Sequence, residues 1–303
     1  MANPFERITE KAKAALAAAR ERSRAVDIAA ATFQRFSDDD GGSYAAALTY
    51  YTFFSIFPLL LFAAAVLGYL TVDDPELRAD LIKEGLKTVP IIRDAFHPDG
   101  VAAIIENRQT IAITALVLAL YSGSGAVVAL QHALNRIHGI EDEPGWVKKR
   151  LRSLMWLAVL GAGGILAIGV GTIAGFARDL LGDGATGTGA AVIWAGVGGV
   201  VITTALFATA YKFLPERRQR WGQVLPGAVV AAMLFQVLNL AGSLYLARGE
   251  TARNDTFGTF AAAATLLVAS YLISQITLLA AEVNLVLAEG KDRRAAQTKE
   301  EAR

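Results

Sequence analysis

The chain has 303 residues, 54% of them hydrophobic and 19% charged, with a mean hydropathy of +0.40 and a formal net charge of +1. Soluble domains hold about 45–50% apolar residues, so the excess points to a bilayer, while the near-neutral charge excludes a nucleic-acid-type electrostatic surface. The absence of cysteine excludes disulfides, thiolate catalysis and cysteine-ligated metals, and His97, His132 and His138 are too scattered for a metal cluster; no cofactor is expected.

Residues 1–43 read as a cytoplasmic amphipathic segment. Within it, residues 5–36 have helical periodicity, with Val26, Ile28, Ala29, Phe33 and Phe36 as an apolar stripe beside Arg20, Arg22, Arg24 and Arg35. Such a helix suits an anionic inner leaflet, although an ordinary charged helical tail would share the pattern. About 40 charged, Ala-rich residues precede the first apolar run, whereas a signal peptide places its apolar core near the start. The first span is therefore expected to serve as an uncleaved insertion signal. Asp38, Asp39 and Asp40 suggest either a cation site or, with Ser43, a cap and dipole partner for the N-terminus of that span.

Residues 45–70 carry no charge at all. A helix of roughly 20 residues, rising about 1.5 Å each, crosses a bilayer core, and a window of that length finds six candidates. They cover residues 44–70, 110–130, 154–176, 190–211, 224–246 and 257–287, so the expected fold is all-α: a bundle of six transmembrane helices over residues 44–288 with amphipathic flanking helices. A charged cytoplasmic tail, 289–303, would follow.

Polar groups within these spans need an account, because an unpaired one costs several kcal/mol in hydrocarbon. In the first span Tyr44, Leu48, Tyr51, Ser55 and Pro58 share one face at 4-3-4-3 spacing. Pro58 removes a helical hydrogen bond and crowds the carbonyl of Phe54; Ser55 or water could satisfy what is freed. The outer loop, 71–109, holds an amphipathic stretch from Pro75 to a break at Pro90, suited to interfacial packing or to capping a cavity. The second span carries Ser124, Gln131 and Asn135, the fifth Gln236, Asn239 and Ser243, and the sixth Tyr271, Gln275, Leu278 and Glu282, with Asn284 close by.

These four stripes either line a wet path, on which the first face meets the other three, or bond helix to helix. Glu282 is a candidate for proton coupling or for a structural ion pair, with Arg152 and Lys212 as candidate partners. Small residues at packing spacing, namely Gly161, Gly164, Gly171 and Gly175, then Ala195, Gly199 and Thr203, then Gly227 and Ala231, favour close helix contact.

Basic residues set the orientation. Those before the first span, those from Arg136 to Arg152, those from Lys212 to Arg220 and those after residue 290 would all lie on one side, so both termini are expected in the cytoplasm. Gly182-Asp-Gly184-Ala-Thr-Gly187 matches GxGxxG but follows a membrane helix rather than a strand, so it reads as a linker. Asn254-Asp-Thr256 is a glycosylation sequon of consequence only in a secretory pathway.

The run AAALTYYTFFSIFPLLL (45–61), ALNRI (133–137) followed by KKRLRSL (148–154), WGQVLPGA (221–228) and GTFAAAATLLVASYLISQITLLAAEVN (258–284) together resemble the YihY/BrkB family of bacterial inner-membrane proteins, over about residues 25–288. The chain departs from the family's last span, where a Trp-containing centre and Gly-Ala-Glu are common, in having Ser270-Tyr271 and Ala280-Ala281-Glu282. The resemblance implies an inner-membrane protein with six helices, in a family that has carried ribonuclease BN and virulence labels and has relatives linked to lipid transport. A nuclease is disfavoured by the residues, which offer no carboxylate or His/Lys cluster for phosphodiester cleavage.

The expectation is a non-enzymatic transporter or flippase-like exporter of a lipid-linked or amphiphilic substrate, in contact with the bilayer. Its candidate path or coupling residues are Tyr51, Ser55, Pro58, Gln131, Asn135, Gln236, Asn239, Gln275, Glu282 and Asn284. The alternative is a non-transporting envelope scaffold. Neither reading involves nucleic acid, and the sequence sets no oligomeric state.

Overall fold

Every long apolar run folds as helix in the computed structural model, which describes residues 10, 17–70, 108–142, 144–181, 185–254 and 258–301. In chain order the helices are α1 (Arg24–Asp38), α2 (Gly41–Leu70), α3 (Arg108–Ile137), α4 (Trp146–Leu181), α5 (Ala185–Phe213), α6 (Trp221–Asn254) and α7 (Gly258–Glu301). Helix answers the demand of hydrocarbon, where each backbone N–H and C=O must be bonded within its own segment.

Helices α2 to α7 overlap the six expected spans one for one. The shortest of them, α5, has 29 residues and rises about 43 Å, beyond the roughly 30 Å of a bilayer core. Among the described residues, Ile113–Ile137, Trp221–Gly242 and Ala263–Lys291 are long and apolar enough to cross a membrane, with mean hydropathies of 2.0, 1.9 and 1.8. The chain is an all-α membrane protein. Most of the 71–109 loop, residues 182–184 of the glycine-rich linker and residues 255 and 256 of the sequon lie outside the described residues.

The helices form a ring in sequence order. Helix α2 packs on α3, α3 on α4, α4 on α5, α5 on α6 and α6 on α7, and α7 closes back onto α2. Small side chains fill the interior, with Ala45, Ala133, Ala208, Ala228, Ala231 and Ala280 buried. Large ones such as Val117, Leu240 and Val268 face outward. Lipid tails are as apolar as leucine, so close backbone approach rather than hydrophobic sorting holds such helices together.

The glycine contacts show where that approach occurs. A Cβ on Gly123 would meet Leu157, one on Gly125 the Tyr51 ring at 3.0 Å, and one on Gly163 the Leu206 side chain. Gly161, one of the expected packing glycines, has nothing within 4 Å of such a Cβ. The contact face of α4 passes through Gly163 instead.

A tight corner joins α1 to α2. Asp40 adopts φ 56°, which a short polar side chain tolerates, and a Cβ on Gly41 would stand 2.4 Å from the Phe36 ring. The Asp40 carbonyl accepts from Ser43 N at 3.0 Å, and its carboxylate accepts from Ser43 Oγ at 2.9 Å. The Asp40 carboxylate thus bonds the Ser43 hydroxyl rather than a backbone N–H of the first turn of α2.

The corner turns α1 against α7, where Thr32 and Phe36 are buried. The apolar stripe expected on a lipid surface is therefore divided: Phe36 joins the protein core, while Phe33 remains exposed. A sequence stripe says which face is apolar but not whether lipid or protein covers it.

Candidate functional site

Polar side chains gather where α1, the C-terminal ends of α3 and α5, the N-terminal ends of α4 and α6 and the second half of α7 come together. The turn after α5 supplies the centre of one cluster, Glu216. Its Oε1 accepts from Gln131 Nε2 of α3 at 3.0 Å and pairs with Arg152 Nη1 of α4. Its backbone N–H donates to Asn135 Oδ1 at 2.9 Å, and Arg152 Nη2 donates to the Phe213 carbonyl at 2.6 Å. Gln131 and Asn135, one helical turn apart on α3, thus clamp the same residue through its side chain and its backbone.

Next to this clamp, Gln219 Nε2 lies 2.8 Å from His138 Nε2 and donates to the Tyr211 carbonyl at 2.9 Å. A carbonyl needs a donor, so this Gln219 atom is the amide nitrogen, and His138 Nε2 accepts from it. The ring proton then sits on Nδ1, which is buried without a partner. Burial, then the charges of Arg217 and Arg35, push the His138 imidazole down to about 4, so it is neutral at ordinary pH. Tyr211 in turn donates its hydroxyl to the Thr277 carbonyl of α7 at 2.7 Å.

A third group joins α1 to α7. Arg35 Nη1 lies 2.5 Å from Glu289 Oε1, and its Nε lies 3.4 Å from Glu282 Oε2. Burial lowers the Arg35 guanidinium, but the hydrogen bond to Glu289 and the charges of Glu289, Glu282 and Asp39 outweigh it and raise it further. Arg152 and Lys212, the expected partners of Glu282, are engaged elsewhere: Arg152 with Glu216, and Lys212 Nζ with the Gln219 carbonyl at 3.0 Å. Charge placed all three on one side of the membrane; the ring order decides which of them meet.

Asn284 fastens α7 to α6. Its Oδ1 accepts from Gly227 N at 2.6 Å, and a Cβ on Gly227 would stand 2.1 Å from the Ala280 carbonyl oxygen. Only glycine fits this approach, which explains the Pro226-Gly227 pair near the start of α6. A small cleft of about 70 Å³ opens beside it, lined by Gly222, Gln223, Pro226, Asn284, Leu287 and Lys291 among others.

The remaining candidates are spread around the ring. Thr49 Oγ1 of α2 lies 3.3 Å from Ser274 Oγ of α7, while the Thr49 hydroxyl donates to the Ala45 carbonyl and the Ser274 hydroxyl to the Ser270 carbonyl. Ser55 is buried and donates to the Thr52 carbonyl at 2.8 Å, not to the Phe54 carbonyl that Pro58 crowds. Tyr51 rests on Gly125 with its ring edge toward Tyr50.

On α6 Gln236 reaches Gly199 of α5, and Asn239 is exposed. On α7 Gln275 is half-buried beside exposed Tyr271, while Leu278 and Glu282 point inward. The face of α2 thus meets α3 and α7, whereas the α6 stripe lies toward α5 and the outside.

Sequence reasoning missed Arg35, Glu216 and Gln219. A signal existed for Glu216, which is the one acid between Asp183 and Glu250 and stands among Lys212, Arg217, Arg218 and Arg220. Among the described residues no group of three or more His, Asp or Glu is placed to hold a metal ion.

Compared with known proteins, residues 32–303 match the family model described as Virulence factor BrkB. Inner membrane protein YhjD of Escherichia coli is 24% identical, over 86% of this chain and 80% of its own. The ribonuclease-like protein YfkH of Bacillus subtilis is 24% identical, over 86% of this chain and 94% of its own. A UPF0761 membrane protein of Chromohalobacter salexigens is 29% identical, over 84% of this chain and 62% of its own. No solved structure matches.

Proposed function

The chain belongs to the Virulence factor BrkB family of membrane proteins, and we propose that it acts there as a transporter or flippase-like exporter of a lipid-linked or amphiphilic substrate. The observation that carries this reading is Glu282, a carboxylate wholly buried in a membrane-crossing stretch of α7, with one oxygen lacking any donor. Ionisable groups at such positions are costly and mark ion or substrate pathways. The seam between α2 and α7 adds support, because hydroxyls face each other across it and Pro58, further along α2, removes one backbone donor from that helix. No GxxxxGK[ST] motif is present, so active transport would draw on a gradient or a partner.

The setting is a bacterial inner membrane, crossed several times, with both termini in the cytoplasm. The gathering of Arg136, Lys148, Lys149, Lys212 and Arg217 at the end that also holds α1 supports this orientation, and the Escherichia coli relative carries the inner-membrane name. The ribonuclease-like name of the Bacillus subtilis relative is not carried over. The carboxylates Glu216 and Glu282 face guanidinium groups rather than an open site for metal or acid–base cleavage.

The test is reconstitution into vesicles with labelled lipid or amphiphile, with and without a pH gradient. Protein-dependent movement across the bilayer supports the reading; none under any gradient refutes it. The scaffold reading draws on exposed Trp146, Arg217 and Arg218 at the same end. Removing residues 1–23 and 292–303 leaves the α1–α7 contacts intact. A scaffold working through its tails would lose function, and a transporter would keep it.

A further inference from the structure

The two oxygens of Glu282 have different surroundings. Oε2 faces Arg35 Nε at 3.4 Å, long for a charge-assisted hydrogen bond. Oε1 is buried with no donor. The guanidinium is turned toward Glu289, 2.5 Å from its other end. Asp39, the residue that follows α1, adds a further negative charge acting on Glu282. Thr32 Oγ1, one turn before Arg35, is a second buried polar atom without a partner.

One cation therefore faces three carboxylates, and the buried Glu282 holds it less closely than Glu289 does. A second negative charge acting on Glu282 opposes its ionised form. An ionised carboxylate buried with an unsatisfied oxygen costs several kcal/mol. A single proton on Oε1 removes both difficulties, since it neutralises the buried group.

We propose that Glu282 is a buried proton-binding site, with Arg35 of α1 as the counter-ion it shares with Glu289. The proton comes from water and bonds to Oε1. When it leaves, Glu282 becomes an anion and draws Arg35 away from Glu289. Among the described residues the charges acting on Glu282 are those of Asp39 and Arg35. Behind Arg35 stand Glu289 on α7, His138 at the end of α3 and, beside His138, Arg217 in the turn after α5. His138 stays neutral until about 4, so above that range it does not compete for the proton. The site holds whether or not the protein moves a solute, because it is read on the protein itself.

Infrared difference spectra of the full chain in nanodiscs, titrated from about pH 9 to about pH 5, read the buried carboxylic acid directly. The parent should show its C=O band, and Glu282→Gln should abolish it. Glu289→Gln frees Arg35 for Glu282 and should move the midpoint down by about one unit or more, and Asp39→Asn should move it down as well. Arg35→Gln should move it up. A parent with no such band, a band surviving in Glu282→Gln, or a midpoint unmoved by both Arg35→Gln and Glu289→Gln overturns the proposal. Should Glu282→Gln fail to fold, Glu289→Gln and Asp39→Asn decide alone: a downward shift supports the site, and no shift refutes it.

Discussion

The backbone N–H of Gly227 donates to Asn284 Oδ1 at 2.6 Å, locking α6 to α7 where a Cβ would stand 2.1 Å from the Ala280 carbonyl oxygen. Both sides of that clash are backbone, so neither can swing away. Gly227→Ala should destabilise by about 3 kcal/mol, the upper part of the overpacking range. Asn284→Ala should cost about 1–3 kcal/mol by stranding the buried N–H. Denaturation in detergent reads both, and a Gly227→Ala protein as stable as the parent would show that the helices are not this close.

Glu216, in the turn after α5, joins α3 through Gln131 and Asn135 to α4 through Arg152. Glu216→Ala should cost about 2 kcal/mol, less than the 3–5 kcal/mol of a fully buried pair, because both partners are partly open to water. Gln131→Leu removes one hydrogen bond to the carboxylate and should cost about 1.5 kcal/mol. The two changes share a partner, so a double-mutant cycle should show coupling; strict additivity would mean the Glu216 contacts are independent.

His138 makes stability depend on pH. Its imidazole titrates at about 4 in the folded chain against 6.5 ordinarily. Between those values the unfolded chain binds a proton that the folded chain excludes, so stability rises with pH. The contribution is complete above 6.5 and is lost as the pH falls toward 4, up to about 3 kcal/mol. His138→Gln should flatten apparent melting temperature against pH in that window, and an unchanged profile would assign the dependence to other groups.

The cysteine-free chain permits a direct test of the α2–α7 seam. Thr49 Oγ1 and Ser274 Oγ lie 3.3 Å apart, so two cysteine sulfurs placed there need to close by little more than about 1 Å to reach the roughly 2 Å of a disulfide. Thr49→Cys with Ser274→Cys should therefore oxidise to a disulfide, seen by mass spectrometry as loss of the two thiol hydrogens. If the seam opens during transport, the oxidised protein should be inactive and recover on reduction. Full activity while cross-linked would place movement elsewhere.

The helices were legible because uncharged runs of more than 20 residues have one stable form in hydrocarbon. The polar corner before α2 was legible too, since the Asp40–Ser43 contact is local. The partners of Glu282 were not. Charge counting assigned Glu282, Arg152 and Lys212 to one side, but the order of helices around a ring is set by contacts such as Gly163 with Leu206 and Gly227 with Ala280, which no spacing rule reveals. Phe36 shows the same limit: its stripe was visible, but a protein core and a lipid surface select the same residue type.

The pairing of Arg35 with Glu282 spans 247 residues, which has a consequence for biogenesis. The N-terminal helix leaves the ribosome first, yet its binding groove is not complete until the last helix has been made. Until then Arg35 and Asp39 stand as loose charges at the membrane face, and α2 lacks the neighbour that closes the ring. Completion of α7 is thus the step that seals the molecule. Nascent chains stalled before Glu282 should leave α1 open to protease, and chains released after Glu289 should protect it.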